Sequence, residues 1–273
     1  MSSISINFFA RTLNFRTEVR AVLPEYPSQR DSSVSRKAAY DPDLLFPVVY
    51  LLHGFTGDYS DWSGMVPIER YAQEYGFAVI MPHGYNSWYR NVPHGPKVEE
   101  YIADELPAAM EAMLPISTKS EDRFIAGLSM GGTGAIYTAL KHPARYRAIG
   151  SASAVFSLEE LVRQYRHGTP DDLEMLDRAQ YIYGTEPDIC QLYTDLIASG
   201  ATIPRHLCLY GLQDEMLPFQ YRTFETFVKE SGAPVTMRVR PGGHDFSVWD
   251  PGIREILEWF STIRNTNPDG GNH

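Results

Sequence analysis

Three residues far apart in the chain have the types and the settings that nucleophilic acyl transfer requires. Ser129 is the centre of GLSMG (127–131), a G-x-S-x-G motif. In such a motif the serine lies on a tight, strained turn between a strand and a helix, which exposes its hydroxyl and needs small flanking residues. The amino end of the helix also favours negative charge developing near the hydroxyl. We therefore interpret Ser129 as a nucleophile.

The same glycines permit two other interpretations. Gly131, Gly132 and Gly134 could simply allow a helix to pack closely against a strand. A phosphate-binding loop would need a G-K-[ST] continuation, which does not follow the motif here. The strand-like RFIA (123–126) before the motif and the helix-like GTGAIYTALKH (132–142) after it favour the nucleophile.

A histidine late in the chain is the candidate general base. Among the eight histidines, His244 lies in PGGHDF (241–246), directly after the strand-like VTMRVR (235–240). A loop at the carboxyl end of a strand can bring an imidazole to a serine at the same edge of a sheet. The chain order serine, acid, histidine is also that of α/β-hydrolases.

Asp214 is the predicted acid of the triad. It ends the turn GLQD (211–214) after the strand-like HLCLYG (206–211). From there it could accept a hydrogen bond from His244 and fix the tautomer that leaves the other ring nitrogen free for the serine. The competing carboxylates are Glu215, Asp245 and Asp250. Asp245 is disfavoured because its side chain cannot readily fold back onto the neighbouring ring.

HGFTG (53–57) is the candidate for half of an oxyanion hole, because it directly follows the apolar run FPVVYLL (46–52). Such a turn directs a backbone N–H, here that of Phe55, at the carbonyl oxygen of the substrate, and the N–H of Met130 would be the second donor. We interpret His53 as a structural residue that braces the loop.

The elements that must position these residues are short apolar runs alternating with amphipathic segments. Strands are predicted over 3–10, 14–24, 46–52, 77–82, 123–129, 146–153, 206–211 and 235–240. Helices are predicted over 66–75, 98–113, 130–141, 158–166, 171–182, 188–199, 219–231 and 251–263. Apolar strands separated by helices predict an α/β fold, in which helices cover both faces of a mostly parallel sheet.

We expect one α/β domain over residues 1–264, a length that such domains commonly reach undivided. Residues 155–200 contain predicted helices without an intervening strand and could form a cap insertion. The tail NTNPDGGNH (265–273) is expected to be disordered.

Composition excludes several classes of function. A formal charge of −10 argues against nucleic acid and against an anionic membrane surface, since both are bound through clustered Lys and Arg. The longest clean apolar run, 46–52, is far too short to span a bilayer. The first 24 residues lack the uninterrupted apolar stretch of a signal peptide, so we expect a cytoplasmic protein.

The cysteines, the absence of metal-site spacing in the sequence and the aromatic residues say less about function. Cys190 and Cys208, the two cysteines, lie outside any C-x-x-C pair and are interpreted as packed thiols, although one disulfide is possible. No histidine or carboxylate cluster has the spacing of a metal site. Four aromatic residues could line an acyl or sugar pocket or could simply be packed: Trp62, Trp88, Tyr89 and Trp249.

Five segments together resemble the esterase D family: HGFTGDYSDW (53–62), NSWYRN (86–91), GLSMGG (127–132), GLQD (211–214) and GGHDFSVWD (242–250). The resemblance extends from the N-terminal strands to the last helix. Within the family the chain is most similar to tributyrin-type, acetylxylan and feruloyl esterases.

The resemblance implies hydrolysis of acetyl, butyryl or feruloyl esters through an acyl-enzyme, without a cofactor. It supports Ser129, Asp214 and His244 as the triad, and the amides of Phe55 and Met130 as the oxyanion hole. The partner would be a small-molecule ester, such as an acylated sugar, and a homo-oligomer is possible.

A thioesterase or acyltransferase could use the same triad. S-formylglutathione hydrolases are relatives, but their histidine segment differs from GGHDFSVWD (242–250), so we rank that activity lower. Mycolyltransferases share the fold and are disfavoured here by the lack of an export signal.

Overall fold

The computed structural model describes residues 1–26, 43–168 and 187–266, together with the single positions 29, 32, 33, 35, 41 and 179. Most of the helix predicted over 171–182 lies outside the described residues. The single domain over 1–264 and the cap insertion within 155–200 therefore stay predictions. The tail expected to be disordered over 265–273 also lies outside them from residue 267 onward.

An eight-stranded sheet forms the centre of the molecule, and every predicted strand is present. The strands are β1 (Ser2–Ala10), β2 (Phe15–Leu23), β3 (Val48–Leu52), β4 (Ala78–Pro82), β5 (Arg123–Leu128), β6 (Ala148–Ala152), β7 (Arg205–Gly211) and β8 (Val235–Arg240). Their order is β1-β2-β4-β3-β5-β6-β7-β8. The β1–β2 and β2–β4 pairs are antiparallel and all the others are parallel.

The central strands are apolar throughout because both faces of the sheet are covered. In β3, Tyr50 and Leu52 belong to the core on one face, whereas Val49 and Leu51 belong to the core on the other. This division follows from the two-residue repeat of a strand. Every residue of β3, β4 and β6 is buried, as expected for a parallel sheet between two helical layers.

The described helices are α1 (Asp61–Met65), α2 (Ile68–Tyr75), α3 (Val98–Glu100), α4 (Leu106–Met113), α5 (Met130–Lys141), α6 (Leu158–Tyr165), α7 (Ile189–Ser199), α8 (Pro218–Ser231) and α9 (Phe246–Asn265). A π-helical turn, Tyr101–Glu105, joins α3 to α4. Helix α5 lies in the first of the two cores and is buried from Met130 to Leu140, whereas α2 and α9 pack in the second. Helix α1 was not predicted.

The predicted start of the last helix at Pro251 is wrong, since α9 begins at Phe246. Proline favours the first turn of a helix, which makes Pro251 look like a start in the sequence. In the structure Asp245 caps the helix instead, and its Oδ1 accepts a hydrogen bond from the N–H of Ser247 at 2.8 Å. Pro251 lies in the second turn, where its missing N–H forgoes one helical hydrogen bond.

Two further features concern expectations drawn from composition. Cys190 and Cys208 are both free thiols, Cys208 buried and Cys190 partly buried. Within the described part of the chain, no helix has the length and the apolar composition that crossing a membrane would require.

Candidate active site

Ser129 lies on the turn between β5 and α5, where the motif predicted it. Its φ of 49° and ψ of −120° place it in a region that costs a non-glycine residue energy. Two backbone hydrogen bonds hold it there. Its N–H donates to Ala152 O at 2.8 Å, and its own carbonyl accepts from the N–H of Thr133 at 3.0 Å. The strand, turn and helix around the serine are thus as the sequence predicted.

The glycines of the motif allow backbone segments to cross at very short range. A Cβ built on Gly131 would lie 2.3 Å from the carbonyl oxygen of Leu52 and 2.5 Å from that of His53. A Cβ on Gly127 would lie 2.4 Å from Gly131 O. Since real Cβ atoms do not approach backbone this closely, the turn cannot form with larger residues at these positions.

His244 lies in the loop between β8 and α9 and reaches Ser129. Its Nε2 is 2.9 Å from Ser129 Oγ. Trp249, one turn into α9, packs edge to face on the imidazole with ring centroids 5.2 Å apart. The histidine side chain is 17% exposed, so the ring is supported on one side and open to the solvent on another.

Asp214 follows β7 and holds the other side of the imidazole, with His244 Nδ1 2.8 Å from its Oδ2. The same oxygen accepts from the hydroxyl of Tyr221 at 2.5 Å. Oδ1 accepts from the N–H groups of Met216 at 2.9 Å and Leu217 at 3.2 Å. Burial alone would raise the pKa of Asp214, but the hydrogen bonds from His244, Tyr221 and Leu217 outweigh it and hold the pKa below its usual range.

None of the three competing carboxylates is hydrogen-bonded to His244. Asp245 caps α9, Asp250 accepts a hydrogen bond from the hydroxyl of Tyr71 at 2.8 Å, and Glu215 is exposed. The structure therefore brings Ser129, His244 and Asp214 together in one hydrogen-bonded series.

The HGFTG loop lies directly against the serine. A Cβ on Gly54 would be 3.6 Å from Ser129 Cβ, so Phe55 is at the edge of the same site. On the other side, Met130 is the first residue of α5, and an N–H in the first turn of a helix has no acceptor within that helix. The two predicted oxyanion donors therefore belong to segments that meet at Ser129.

His53 is wholly buried and braces this loop, as predicted. Its Nδ1 bonds to Gly54 O at 2.7 Å, and its Nε2 accepts from the N–H of Gly84 at 2.7 Å. In the neutral form Nδ1 thus carries the proton and Nε2 is the acceptor, with His83 Nδ1 also 3.3 Å from Nε2. Burial lowers the pKa of His53 to about 4, which keeps the ring neutral at physiological pH.

A pocket of about 380 Å³ opens at Ser129 and His244. Its other lining residues are Gly54, Phe55, Thr56, Gly57, Asp61, Trp88, Leu128, Val155, Met216, Phe246 and Trp249. Among the described residues, no group of three or more His, Cys, Asp or Glu side chains could hold a metal ion. The side chains of Ser129, His244, Thr56 and Asp61 are the polar ones of this lining, and the other lining residues are glycine, apolar or aromatic.

Two of the four aromatic candidates line this pocket and two do not. Trp88 and Trp249 are lining residues. Trp62 is buried and donates its Nε1 hydrogen to Leu52 O at 3.2 Å. Tyr89 is also buried, and its hydroxyl donates to His53 O at 3.0 Å. Trp62 and Tyr89 therefore serve packing rather than the pocket.

Met216 connects the acid loop to α6. Its carbonyl accepts hydrogen bonds from Gln164 Nε2 at 3.0 Å and from the hydroxyl of Tyr165 at 3.1 Å. Its N–H donates to Asp214, and its side chain lines the pocket. The single residue Met216 thus bonds to the carboxylate of Asp214, lines the pocket and is held by α6.

The sequence did not reveal Tyr221, Asp61 or the two amides on Asp214. Tyr221 lies in the amphipathic helix α8, where an aromatic residue is indistinguishable from core packing. Asp61 opens a short helix, where a carboxylate is ordinarily explained by the helix dipole. Backbone donors such as those of Met216 and Leu217 have no side-chain signal at all.

Comparisons with known proteins place the whole chain beside esterases. The family described as "Putative esterase" matches residues 28–191. An acetyl esterase of Caldicellulosiruptor saccharolyticus is 29% identical over 271 residues, which cover 96% of this chain and 99% of that protein.

Two solved structures are also similar over almost their whole length. FphF, a fluorophosphonate-binding serine hydrolase of Staphylococcus aureus, has a TM-score of 0.81 at 30% identity and covers 95% of this chain and 98% of its own. FrmB, an S-formylglutathione hydrolase of the same organism, has a TM-score of 0.79 at 30% identity with the same coverage.

Proposed function

The chain belongs to this esterase family and is a serine hydrolase of carboxylic esters with the α/β-hydrolase fold, and we propose that Ser129, His244 and Asp214 carry its reaction. The resemblance to the esterase D family is thereby confirmed. The observation that supports the triad is the pair of hydrogen bonds on His244, at 2.9 Å to Ser129 Oγ and 2.8 Å to Asp214 Oδ2.

In the proposed reaction Ser129 Oγ attacks the ester carbonyl while His244 Nε2 takes the hydroxyl proton. The tetrahedral intermediate collapses, the C–O bond to the alcohol breaks, and His244 returns its proton to the leaving oxygen. Water then adds to the acyl-enzyme with the same proton transfers and releases the acid. Asp214, kept ionised by its donors, stabilises the imidazolium at each step.

We propose that the N–H groups of Phe55 and Met130 bind the oxyanion. Support comes from the contact of the 53–57 loop with Ser129 and from the position of Met130 at the start of α5. Donors fixed in this way stabilise charge that exists only in the transition state, and loss of one typically lowers turnover by about 10²–10³-fold.

The substrate we propose is an ester of a short acyl group, with acetyl as the first choice. A pocket of about 380 Å³ is at the small end of the range for ligand sites. The acetyl esterase relative supports the same choice. The aromatic faces of Trp88 and Trp249 suit an acylated sugar or a feruloyl group as well. Location in the cytoplasm and a homo-oligomer stay predictions of the sequence.

Replacement of Ser129 by alanine tests the proposal. We expect Ser129→Ala to lower kcat for p-nitrophenyl acetate by about 10⁵–10⁶-fold while the protein stays folded, and to abolish labelling by a fluorophosphonate. Activity within tenfold of the wild type would reject Ser129 as the nucleophile. An acetyl, butyryl, octanoyl and feruloyl ester panel, with S-formylglutathione as the thioester, would then define the substrate.

The chain contains its own matched control. Ser151 Oγ and His206 Nε2 form a second serine–histidine hydrogen bond of 2.7 Å, but both residues are wholly buried. Ser151→Ala should keep fluorophosphonate labelling and esterase activity, because no substrate can reach that pair. If Ser151→Ala lost labelling and Ser129→Ala kept it, the nucleophile would be Ser151 and the assignment to Ser129 would be wrong.

A further inference from the structure

We propose that Tyr221 is a positioning residue of this site, whose hydroxyl fixes the Asp214 carboxylate and moderates the basicity of His244. The inference rests on the triad proposed above. Tyr221 does not itself line the pocket, and its hydroxyl bonds to Asp214, so it would act through the acid.

The carboxylate of Asp214 is held by a donor in each direction. The hydroxyl of Tyr221 and the Nδ1 of His244 share Oδ2, at 2.5 and 2.8 Å. The N–H groups of Met216 and Leu217 occupy Oδ1, at 2.9 and 3.2 Å. Because both oxygens are engaged, the carboxylate cannot turn without breaking a hydrogen bond.

Tyr221 is itself held firmly enough to orient its partner. It is 4% exposed, and its ring stacks on Tyr210 with centroids 4.4 Å apart. Phe156 packs on it edge to face at 6.3 Å. Burial, followed by the negative charge of Asp214, raises the pKa of Tyr221 well above its ordinary value, so the hydroxyl keeps its proton and remains a donor throughout the working pH range.

Sharing one oxygen between two donors has a chemical consequence. The Tyr221 hydrogen bond draws electron density from Oδ2 and thereby weakens the attraction between Asp214 and a protonated His244. Without the hydroxyl, the carboxylate would stabilise the imidazolium more strongly, and the imidazole would become more basic. The carboxylate would also lose one of the four donors that hold it, which would loosen the orientation of the ring.

Tyr221→Phe isolates the hydroxyl, because it keeps the ring and its stacking on Tyr210. We expect kcat for p-nitrophenyl acetate to fall by about tenfold, the order of effect of one hydrogen bond to a charged group. KM should change less than twofold. The acid limb of the kcat/KM profile should move to higher pH by about half a unit.

The other ionisable groups around His244 are unchanged in this variant. Asp214 faces it from the end of β7, Asp245 is its neighbour at the start of α9, and Asp61 lines the same pocket from α1. A shift of the acid limb would therefore report the loss of the Tyr221 hydroxyl.

Tyr193→Phe is the matched control. The Tyr193 hydroxyl is equally buried and bonds to a histidine, His206 Nδ1, at 3.0 Å, but it lies away from Asp214. We expect a similar loss of thermal stability with an unchanged pH profile. If Tyr221→Phe lowers only stability, or if both variants shift the profile alike, Tyr221 is purely structural and the inference fails.

A second substitution covers the case in which Tyr221→Phe does not fold. Placing 3-fluorotyrosine at position 221 keeps the hydroxyl and makes it a stronger donor, so the acid limb should move to lower pH. A shift to higher pH, or none, contradicts the inference. An inert Ser129→Ala variant beside an unaffected Tyr221→Phe variant would reject this inference alone, whereas an active Ser129→Ala variant would reject the triad itself.

Discussion

Replacing Asp214 by asparagine keeps the shape of the acid and reverses half of its hydrogen bonding. Four donors point at the carboxylate, from Met216 and Leu217 on Oδ1 and from Tyr221 and His244 on Oδ2. A carboxamide offers one accepting oxygen and one donating NH2 group. Backbone N–H groups cannot become acceptors, whereas a phenol can turn and an imidazole can change tautomer. We therefore expect the NH2 group to face Tyr221 and His244.

That orientation makes His244 Nδ1 an acceptor and moves its proton to Nε2, the atom that must receive the proton of Ser129. The corresponding exchange in a trypsin-like protease lowers kcat about 10⁴-fold. At 1.36 kcal/mol per factor of ten, this is about 5 kcal/mol of transition-state stabilisation. The folded state loses one charge-assisted hydrogen bond, about 1.5–3 kcal/mol, so the variant should remain folded with a lower Tm.

Three measurements test these expectations. Steady-state hydrolysis of p-nitrophenyl acetate gives kcat, thermal unfolding followed by circular dichroism gives Tm, and ¹⁵N NMR of the His244 ring locates its proton. Asp250→Asn is the control, since Asp250 also accepts from a tyrosine hydroxyl, that of Tyr71, but does not bond to His244. Asp214→Asn should lose activity and place the proton on Nε2. A loss below tenfold, or a proton that remains on Nδ1, would refute the tautomer argument.

Three other predictions follow from burial, packing and charge. Burial lowers the pKa of His206 to about 3 and that of His53 to about 4, whereas the pKa of a histidine in the unfolded chain is ~6.5. The unfolded chain therefore takes up protons first on acidification. The free energy of unfolding should be complete above pH ~6.5 and should fall below that pH by up to about 1.4 kcal/mol per pH unit for each ring. Gly131→Ala should destabilise the protein by at least about 1–3 kcal/mol, because its Cβ would lie 2.3 Å from Leu52 O. Asp61→Asn should raise kcat/KM for an anionic ester such as a p-nitrophenyl hemisuccinate by about fivefold, a Coulomb effect discounted for solvent screening, and leave p-nitrophenyl acetate unchanged.

Each of these has its own check. Urea unfolding at pH 7, 6, 5 and 4 should show a smaller loss in His206→Gln than in the wild type, and an equal loss would contradict the histidine account. Gly64→Ala, where no atom lies within 4 Å of the new Cβ, should leave the free energy of unfolding nearly unchanged. Equal losses of stability at Gly64 and Gly131 would contradict the argument that a Cβ on Gly131 collides with Leu52 O. An equal gain on neutral and anionic esters in Asp61→Asn would show a change of pocket shape instead of charge.

The strands could be predicted from the sequence because their signal is local. Continuous apolar runs such as VVYLL in β3 and AVIMP in β4 mark strands buried on both faces. The positions of Ser129, Asp214 and His244 after three of these strands were also visible, because parallel strands bring their carboxyl ends to one edge. The fold and the proposed triad residues could thus be predicted from local patterns in the sequence.

What the sequence could not predict depends on contacts between distant segments. Tyr221 reaches Asp214 only because α8 packs beside the acid loop. Met216 lines the pocket because α6 holds its carbonyl. The predicted start of α9 was wrong because the side chain of Asp245 caps the helix, six residues before the more obvious Pro251. In each case the role of the residue depends on a contact in the folded structure that the local sequence pattern does not specify.

The position of Met216 limits how the ester preference of such an enzyme can change. Its N–H donates to Asp214, the proposed acid, its side chain lines the pocket, and its carbonyl accepts hydrogen bonds from α6. A mutation that repositions this segment to admit a different ester therefore also disturbs the group that orients the general base. Selectivity and rate are mechanically coupled at this one residue, so changes of acyl preference that preserve turnover should accumulate at lining residues outside the acid loop, such as Trp88.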